Sequence, residues 1–181
     1  MHYGYSHFNP LIFKWFIQNF NIKTCYDPCG GWGHRLLGSS DLDLYIYNDL
    51  SKQTKDNVDE IIKFFKIKNT KTYCEDARTF NPEEQFEAMF TCPPYFNLEK
   101  YQCKGFDDLQ DYENFIDSLF KLFESRQDCK LFGLVTRDDM LFSHTDYVEK
   151  HLVSVRKKSY LPSAEKKHNE YLYIYRKEDN K

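Results

Sequence analysis

The sequence predicts a mostly parallel, doubly wound α/β sheet with an antiparallel C-terminal edge strand. Three observations carry that expectation. Stretches of strand character alternate five times with stretches of helical periodicity, the pattern of a sheet covered by helices on both faces. Polar clusters fall at the strand ends, where open α/β sheets bind their ligands. The last two strand-like stretches follow one another with only a polar connection between them, as in an antiparallel pair.

The elements follow in order. Asn9 and Pro10 open a first helix, with Asn9 as N-cap, Pro10 at the first helical position, and Leu11, Phe13, Trp15, Phe16, Ile17 and Phe20 behind them. Ile22 to Asp27 reads as a strand running into the loop Pro28 to Gly33. His34 to Ser40 opens a helix, and Leu44 to Asn48 is a second strand with Asp49 just past it. Ser51 caps a helix whose apolar face is expected to be Val58, Ile61, Ile62 and Phe65. Thr70 to Cys74 is a third strand with Glu75 and Asp76 at its exit. Phe86 to Thr91 is a fourth, running directly into Cys92-Pro93-Pro94-Tyr95. Tyr112 to Phe123 is an amphipathic helix, Lys130 to Thr136 a fifth strand, and Leu152 to Tyr160 and Tyr171 to Arg176 the final pair.

At 181 residues the chain suits one domain, 1–181, in which residues 1–21 form a helical element ahead of the first strand. A hydrophobic share of 41% and an aromatic share of 18% exclude a disordered chain. No apolar run reaches the roughly 18 residues that span a bilayer. The stretch Met1 to Pro10 lacks the basic-then-apolar pattern of a secretory signal. Six cysteines (Cys25, Cys29, Cys74, Cys92, Cys103, Cys129) form neither a CxxC pair nor a Cys/His zinc pattern. A cytoplasmic protein with buried thiols, no metal and no membrane partner is the expectation.

The net charge of −3 is not that of a strongly basic nucleic-acid binder. Charge is uneven, however. Arg156, Lys157, Lys158, Lys166, Lys167, His168, Arg176 and Lys177 make the C-terminal part basic, whereas Glu99 to Glu124 is acidic. A modest basic patch of this kind can hold phosphates, and it can equally be a solvated face.

Two loops carry chemistry. Asp27-Pro28-Cys29-Gly30-Gly31-Trp32-Gly33 places three glycines in four positions, so the backbone can turn tightly and approach a ligand. It follows a strand, precedes a helix, and has Asp49 about 20 residues on, where nucleotide-binding folds place an acid for a ribose. The spacing is not GxGxxG. An acid ahead of the turn, Asp27, suits a ligand with a cationic amino group, and Asp76 at the third exit is placed to accept from an adenine amino group. Thr91-Cys92-Pro93-Pro94-Tyr95 is the second loop. Two prolines fix φ twice and remove two donors, leaving the Cys92 and Pro93 carbonyls in set directions beside a flat aromatic. A flipped base could lie on Tyr95 while its amino group donates to the Pro93 carbonyl and the residue-92 side chain.

With these residues in hand, the chain resembles the S-adenosylmethionine-dependent DNA methyltransferases that modify adenine N6 or cytosine N4. The resemblance covers Phe8 to Tyr101. Asp27 to Gly33 is similar to the family's cofactor loop, DPxxGxG, through Asp27, Pro28, Cys29, Gly30, Gly31 and Gly33. Asp49 with Leu50 and Asp76 with Ala77 stand where the family contacts ribose and adenine. Phe8 and Asn9 resemble the element that flanks the cofactor. Cys92, Pro93, Pro94 and Tyr95 are similar to the catalytic (D/N/S)PP(Y/F/W), with Cys in place of Asp, Asn or Ser. Short phage and prophage enzymes look similar, including the phrase Gly31-Trp32-Gly33-His34-Arg35-Leu36-Leu37-Gly38. The resemblance implies a class I (Rossmann-like) methyltransferase fold, S-adenosyl-L-methionine as cofactor, DNA as partner, and the roles of restriction-modification systems.

One departure is one of size. Completing the sheet uses most of the chain after Tyr95, so a separate target-recognition domain does not fit. Lys100 in the insert Phe96 to Gln110, with Lys157, Lys158, Lys166, Lys167 and His168 near the connection Pro162 to Asn169, are the candidates for gripping DNA. Loose specificity, a homodimer or a recognition subunit would follow. The same chemistry on RNA, a protein-directed amide methyltransferase, and a methyltransferase-like binding subunit without turnover are the alternative readings.

Overall fold

The computed structural model describes residues 8–94, 96, 105–155 and 169–178. Asn9 caps helix α1 (Pro10–Asn19), its side chain accepting from the Leu11 N–H at 3.0 Å, with Pro10 at the first position as its missing donor allows. There follow β1 (Thr24–Asp27), α2 (His34–Gly38), β2 (Leu44–Asn48), α3 (Lys52–Phe65), β3 (Thr70–Tyr73), β4 (Ala88–Thr91), α4 (Leu109–Ser125), β5 (Leu131–Thr136), β6 (Glu149–Val155) and β7 (Asn169–Arg176). The strands form one sheet in the order β3-β2-β1-β4-β5-β7-β6. β1 to β5 pair in parallel, and β7 enters antiparallel between β5 and β6. The expected antiparallel edge is therefore a pair in which β7 lies inside and β6 outside.

The central strands β4 and β5 are buried at every position, as parallel strands covered on both faces must be. One face carries α1, α2 and α3 over a core of Phe13, Phe16, Tyr45, Tyr47, Val58 and Phe90. The other carries α4, whose Phe115, Ile116, Leu119, Phe120 and Phe123 pack on Met89, Phe132 and Tyr175. The crossover from β3 to β4 contains turns and no helix, so among the described residues α4 is the one α-helix on that face, beside Ala77, Phe86 and Leu141. Among the described residues no helix is long and apolar enough to cross a membrane, and no cluster of side chains suits a metal.

Two expectations change. Phe65 does not belong to the apolar face of α3; it is 62% exposed. The helix closes through Lys66 in the left-handed region (φ 54°), with Lys66 N–H donating to Lys63 and Ile67 N–H to Ile62. That turn folds Ile67 back on the core beside Ile62, and leaves the Phe65 ring outside. Lys177 is the second case. Its ammonium turns inward to the carbonyls of Phe123 and Arg126 at the C-terminal end of α4, so it closes a helix rather than serving a phosphate.

Candidate functional site

Four strand exits meet at one end of the sheet: the glycine-rich loop after β1, Asp49 after β2, Glu75-Asp76 after β3, and Cys92-Pro93-Pro94 after β4. Asn48, fully buried at the end of β2, joins three of them. Its amide donates to the carbonyls of Pro28 at 3.1 Å and Glu75 at 3.0 Å, while its oxygen accepts from Glu75 N–H at 2.9 Å. Nothing in sequence spacing marks this residue, because an Asn before an Asp at a strand end reads as an ordinary turn.

The glycine loop is shaped by what lies beneath it. A Cβ on Gly30 would sit 2.0 Å from the Tyr47 ring, so no side chain fits there. The Tyr47 hydroxyl donates to the Gly31 carbonyl at 2.7 Å, and Gly30 N–H donates to Asn48 at 2.7 Å. Gly33 takes φ 82°, a conformation costly for any residue with a Cβ, and starts α2 from there. At Gly31 the direction of an added Cβ meets nothing within 4 Å, so the upper side of the loop is open.

Asp27 is placed as expected at the end of β1 but does not face a ligand. Its carboxylate is fully buried and receives four donors. Oδ1 accepts from Thr91 Oγ1 at 3.1 Å and Cys29 N–H at 3.3 Å; Oδ2 accepts from Arg35 Nε at 2.5 Å and the Tyr45 hydroxyl at 2.6 Å. A carboxylate offers about four lone-pair sites, so none is left for a cationic ligand. The expected role is thereby corrected: Asp27 is the internal anchor of the loop. Arg35 also donates to the Cys29 carbonyl. Burial opposes its charge, but the Asp27 carboxylate outweighs that and raises its pKa. Burial, then Asp27, pushes the Tyr45 hydroxyl well up, so it remains a donor. Sequence reading missed Arg35, Tyr45 and Thr91; the available signal was an arginine inside an otherwise apolar short helix.

Asp49 is differently placed. Oδ2 accepts from Gly31 N–H at 2.9 Å and Oδ1 from Ser51 N–H at 2.8 Å, one donor per oxygen. A second lone pair on each stays available, which suits two neighbouring hydroxyls. Burial raises its pKa above the usual value, and the two N–H donors offset part of that rise. Leu50 beside it is 45% exposed, an apolar surface at the mouth of the loop. Asp76 is half-buried and already grasped by Arg78, which donates from Nε at 3.0 Å and from its terminal nitrogen at 2.8 Å. That pairing holds the Asp76 carboxyl below the usual range. Any contact from Asp76 to an adenine amino group must share it with Arg78. Ala77 is buried behind it and adjoins a groove of about 320 Å³ between residues 77–81 and α4, lined by no other expected cofactor residue.

At the fourth exit Thr91 and Pro93 are buried and Cys92 and Pro94 half-buried. Thr91 ties this loop to the first through Asp27. Phe96, Phe106 and Phe142 surround Tyr112 with ring centroids 4.8 to 6.1 Å away. The Tyr112 and Thr136 hydroxyls are both buried and lie close to one another. Burial first, then proximity to Cys92 and Cys29, raises the Tyr112 pKa. Phe8 lies edge-on to Phe90 at 5.9 Å, and Arg35 sits over its ring at 5.0 Å, so the start of the N-terminal element covers the Arg35–Asp27 pair. Asn9 serves α1 as its cap. Tyr95, Lys100, Lys157, Lys158, Lys166, Lys167 and His168 lie outside the described residues.

No protein-family model and no curated protein matches the sequence. Solved structures do. The fold is that of the class I methyltransferases. The N-methyltransferase NodS from Bradyrhizobium japonicum WM9 is similar at a TM-score of 0.63 and 10% identity, over 94% of this chain and 93% of that one. An rRNA methylase from Streptococcus thermophilus is similar at 0.59 and 10%, over 96% and 99%. The Streptococcus mutans protein SMU.1697c, whose structure holds SAH, is similar at 0.58 and 11%, over 94% and 100%. Identities this low speak to the fold alone.

Proposed function

We propose that the protein is an S-adenosylmethionine-dependent methyltransferase that acts on an exocyclic amino nitrogen, adenine N6 or cytosine N4, in DNA. The observation that carries this reading is the seating of Cys92-Pro93-Pro94 next to the open glycine loop, the two held together through Thr91 and Asp27. The similar fold that holds SAH, the demethylated form of the donor, supports the cofactor assignment.

The residues present fit that cofactor. The open side of Gly31, the two unused acceptor sites of Asp49 and the exposed face of Leu50 would receive the methionine end, the ribose hydroxyls and the adenine in turn. The bound cofactor supplies a methyl group on a sulfonium. The target amino group donates one hydrogen bond to the Pro93 carbonyl, whose direction the two prolines fix. That bond would draw the nitrogen out of conjugation and hold its lone pair in one direction. With the cofactor bound, its sulfonium would act as methyl donor and leaving group, and the target nitrogen would release its surplus proton to water. Positioning carries most of the rate, since no strong base is needed. A thiol accepts hydrogen bonds poorly, so at Cys92 more of the orientation falls to the backbone.

RNA is the second reading, favoured by the similarity to an rRNA methylase. Transfer of tritiated methyl groups to DNA and to RNA separates the two. DNA carrying the label supports the first reading; label confined to RNA replaces it with the second.

A further inference from the structure

All sixteen phenylalanines are among the described residues, and fourteen of them are buried or half-buried. The two exposed ones are neighbours: Phe64 at 79% and Phe65 at 62%, their rings edge-to-face with centroids 5.0 Å apart. Lys63, Lys66 and Lys68 flank them in the sequence, all exposed, and none makes an ion pair with another described residue. Lys71, just beyond, pairs with Glu84 at 2.7 Å. Three unpaired cations within six residues stand out in a chain whose net charge is −3.

We propose that this end of α3 is a docking site for single-stranded nucleic acid, with the two rings stacking on bases and the three lysines holding phosphates. The inference rests on the reading that the substrate is a nucleic acid. Bases present a π-face to any exposed aromatic ring, and the flanking strand carries one phosphate per nucleotide for the lysines. A duplex hides those faces. A protein partner fits less well, because two phenylalanine rings offer about 400 Å² at most, well below the roughly 1,000 Å² of a specific interface. The half-buried Ile61, Ile62 and Ile67 are turned into the core and do not extend the patch.

The position gives the site its use. Helix α3 is capped by Ser51, which bonds to Asp49, and its 14 residues carry the chain about 21 Å to the opposite end of the sheet. A strand held at both ends needs about six nucleotides at 3.4 Å each. Such a distal grip would lend affinity to the bound strand, and it would carry no base specificity.

The test uses the full chain and a fluorescein-labelled, mixed-sequence single strand of about 20 nucleotides, as DNA and as RNA, in anisotropy titrations. The double variant Phe64→Ala/Phe65→Ala should bind about tenfold or more weakly to both, with its melting temperature kept and its affinity for a blunt duplex unchanged. The variant Lys63→Gln/Lys66→Gln/Lys68→Gln should lower the slope of log affinity on log salt by about 2. Affinity of the double variant within about twofold of the parent would overturn the proposal, as would an equal loss on the duplex. So would polyglutamate binding that depends on the same two rings. Methyl transfer is read separately. An intact transferase with unchanged binding removes this site alone, whereas ring-dependent binding without any methyl transfer supports this site and removes the proposed chemistry.

Discussion

Asp27 and Asp49 sit at neighbouring strand ends, yet their carboxylates have opposite fates. Asp27 meets four donors and has no accessible surface; Asp49 meets two and borders the open side of Gly31. Removing the first is therefore a stability experiment. Asp27→Ala leaves the Arg35 guanidinium buried without its partner and should cost about 3–5 kcal/mol, read as a lower midpoint in urea denaturation. Thr91→Val deletes one hydrogen bond to the same carboxylate and should cost about 1.5–3 kcal/mol, less than the loss of the carboxylate itself. Because it frees the Cys92-Pro93-Pro94 loop from the glycine loop, the proposed chemistry predicts that turnover falls more than cofactor affinity. Asp49 predicts a pH dependence. Ribose hydroxyls donate more strongly to the carboxylate than to the neutral acid, so affinity is full above the Asp49 pKa and falls as pH drops through it. As burial raises that pKa, the fall should begin at a higher pH than an ordinary aspartate would give. Calorimetry with S-adenosylmethionine across an acidic series should show this fall, and Asp49→Asn should bind weakly with the slope gone.

Among the elements, the strands were the clearest in the sequence, because parallel strands buried on both faces read as unbroken apolar runs ending at polar exits. The α1 cap at Asn9-Pro10 was equally plain, since that dipeptide has a local geometric cause. The end of α3 was not. Periodicity put Phe65 on the buried stripe, and only the left-handed turn at Lys66, set by the packing of Ile67 on the core, turns it out. The glycine loop was recognisable from its composition, but its support was not, since Tyr47 lies beneath it from the next strand. Gly30→Ala tests that support. A methyl group at 2.0 Å from the Tyr47 ring must push the ring or the loop aside, at a cost of about 1–3 kcal/mol with weakened cofactor binding. A melting curve and a cofactor titration unchanged from the parent would show that the loop does not rest on Tyr47.

For the whole molecule, one sheet brings four exits to one end, and Asn48, Asp27 and Thr91 bind those exits to one another. Sequence motifs placed the exits, since a strand end followed by a conspicuous loop is a local signal. The ties between them join residues 18 to 64 positions apart and leave no local mark. The central claim is that this assembled end moves a methyl group to an amino nitrogen of a base in DNA. Its most direct test is nucleoside mass spectrometry of DNA incubated with the purified protein and S-adenosylmethionine. The account predicts N6-methyladenine or N4-methylcytosine in that DNA, strongly reduced by Pro93→Ala. Unmodified DNA from a protein that binds the cofactor would contradict it.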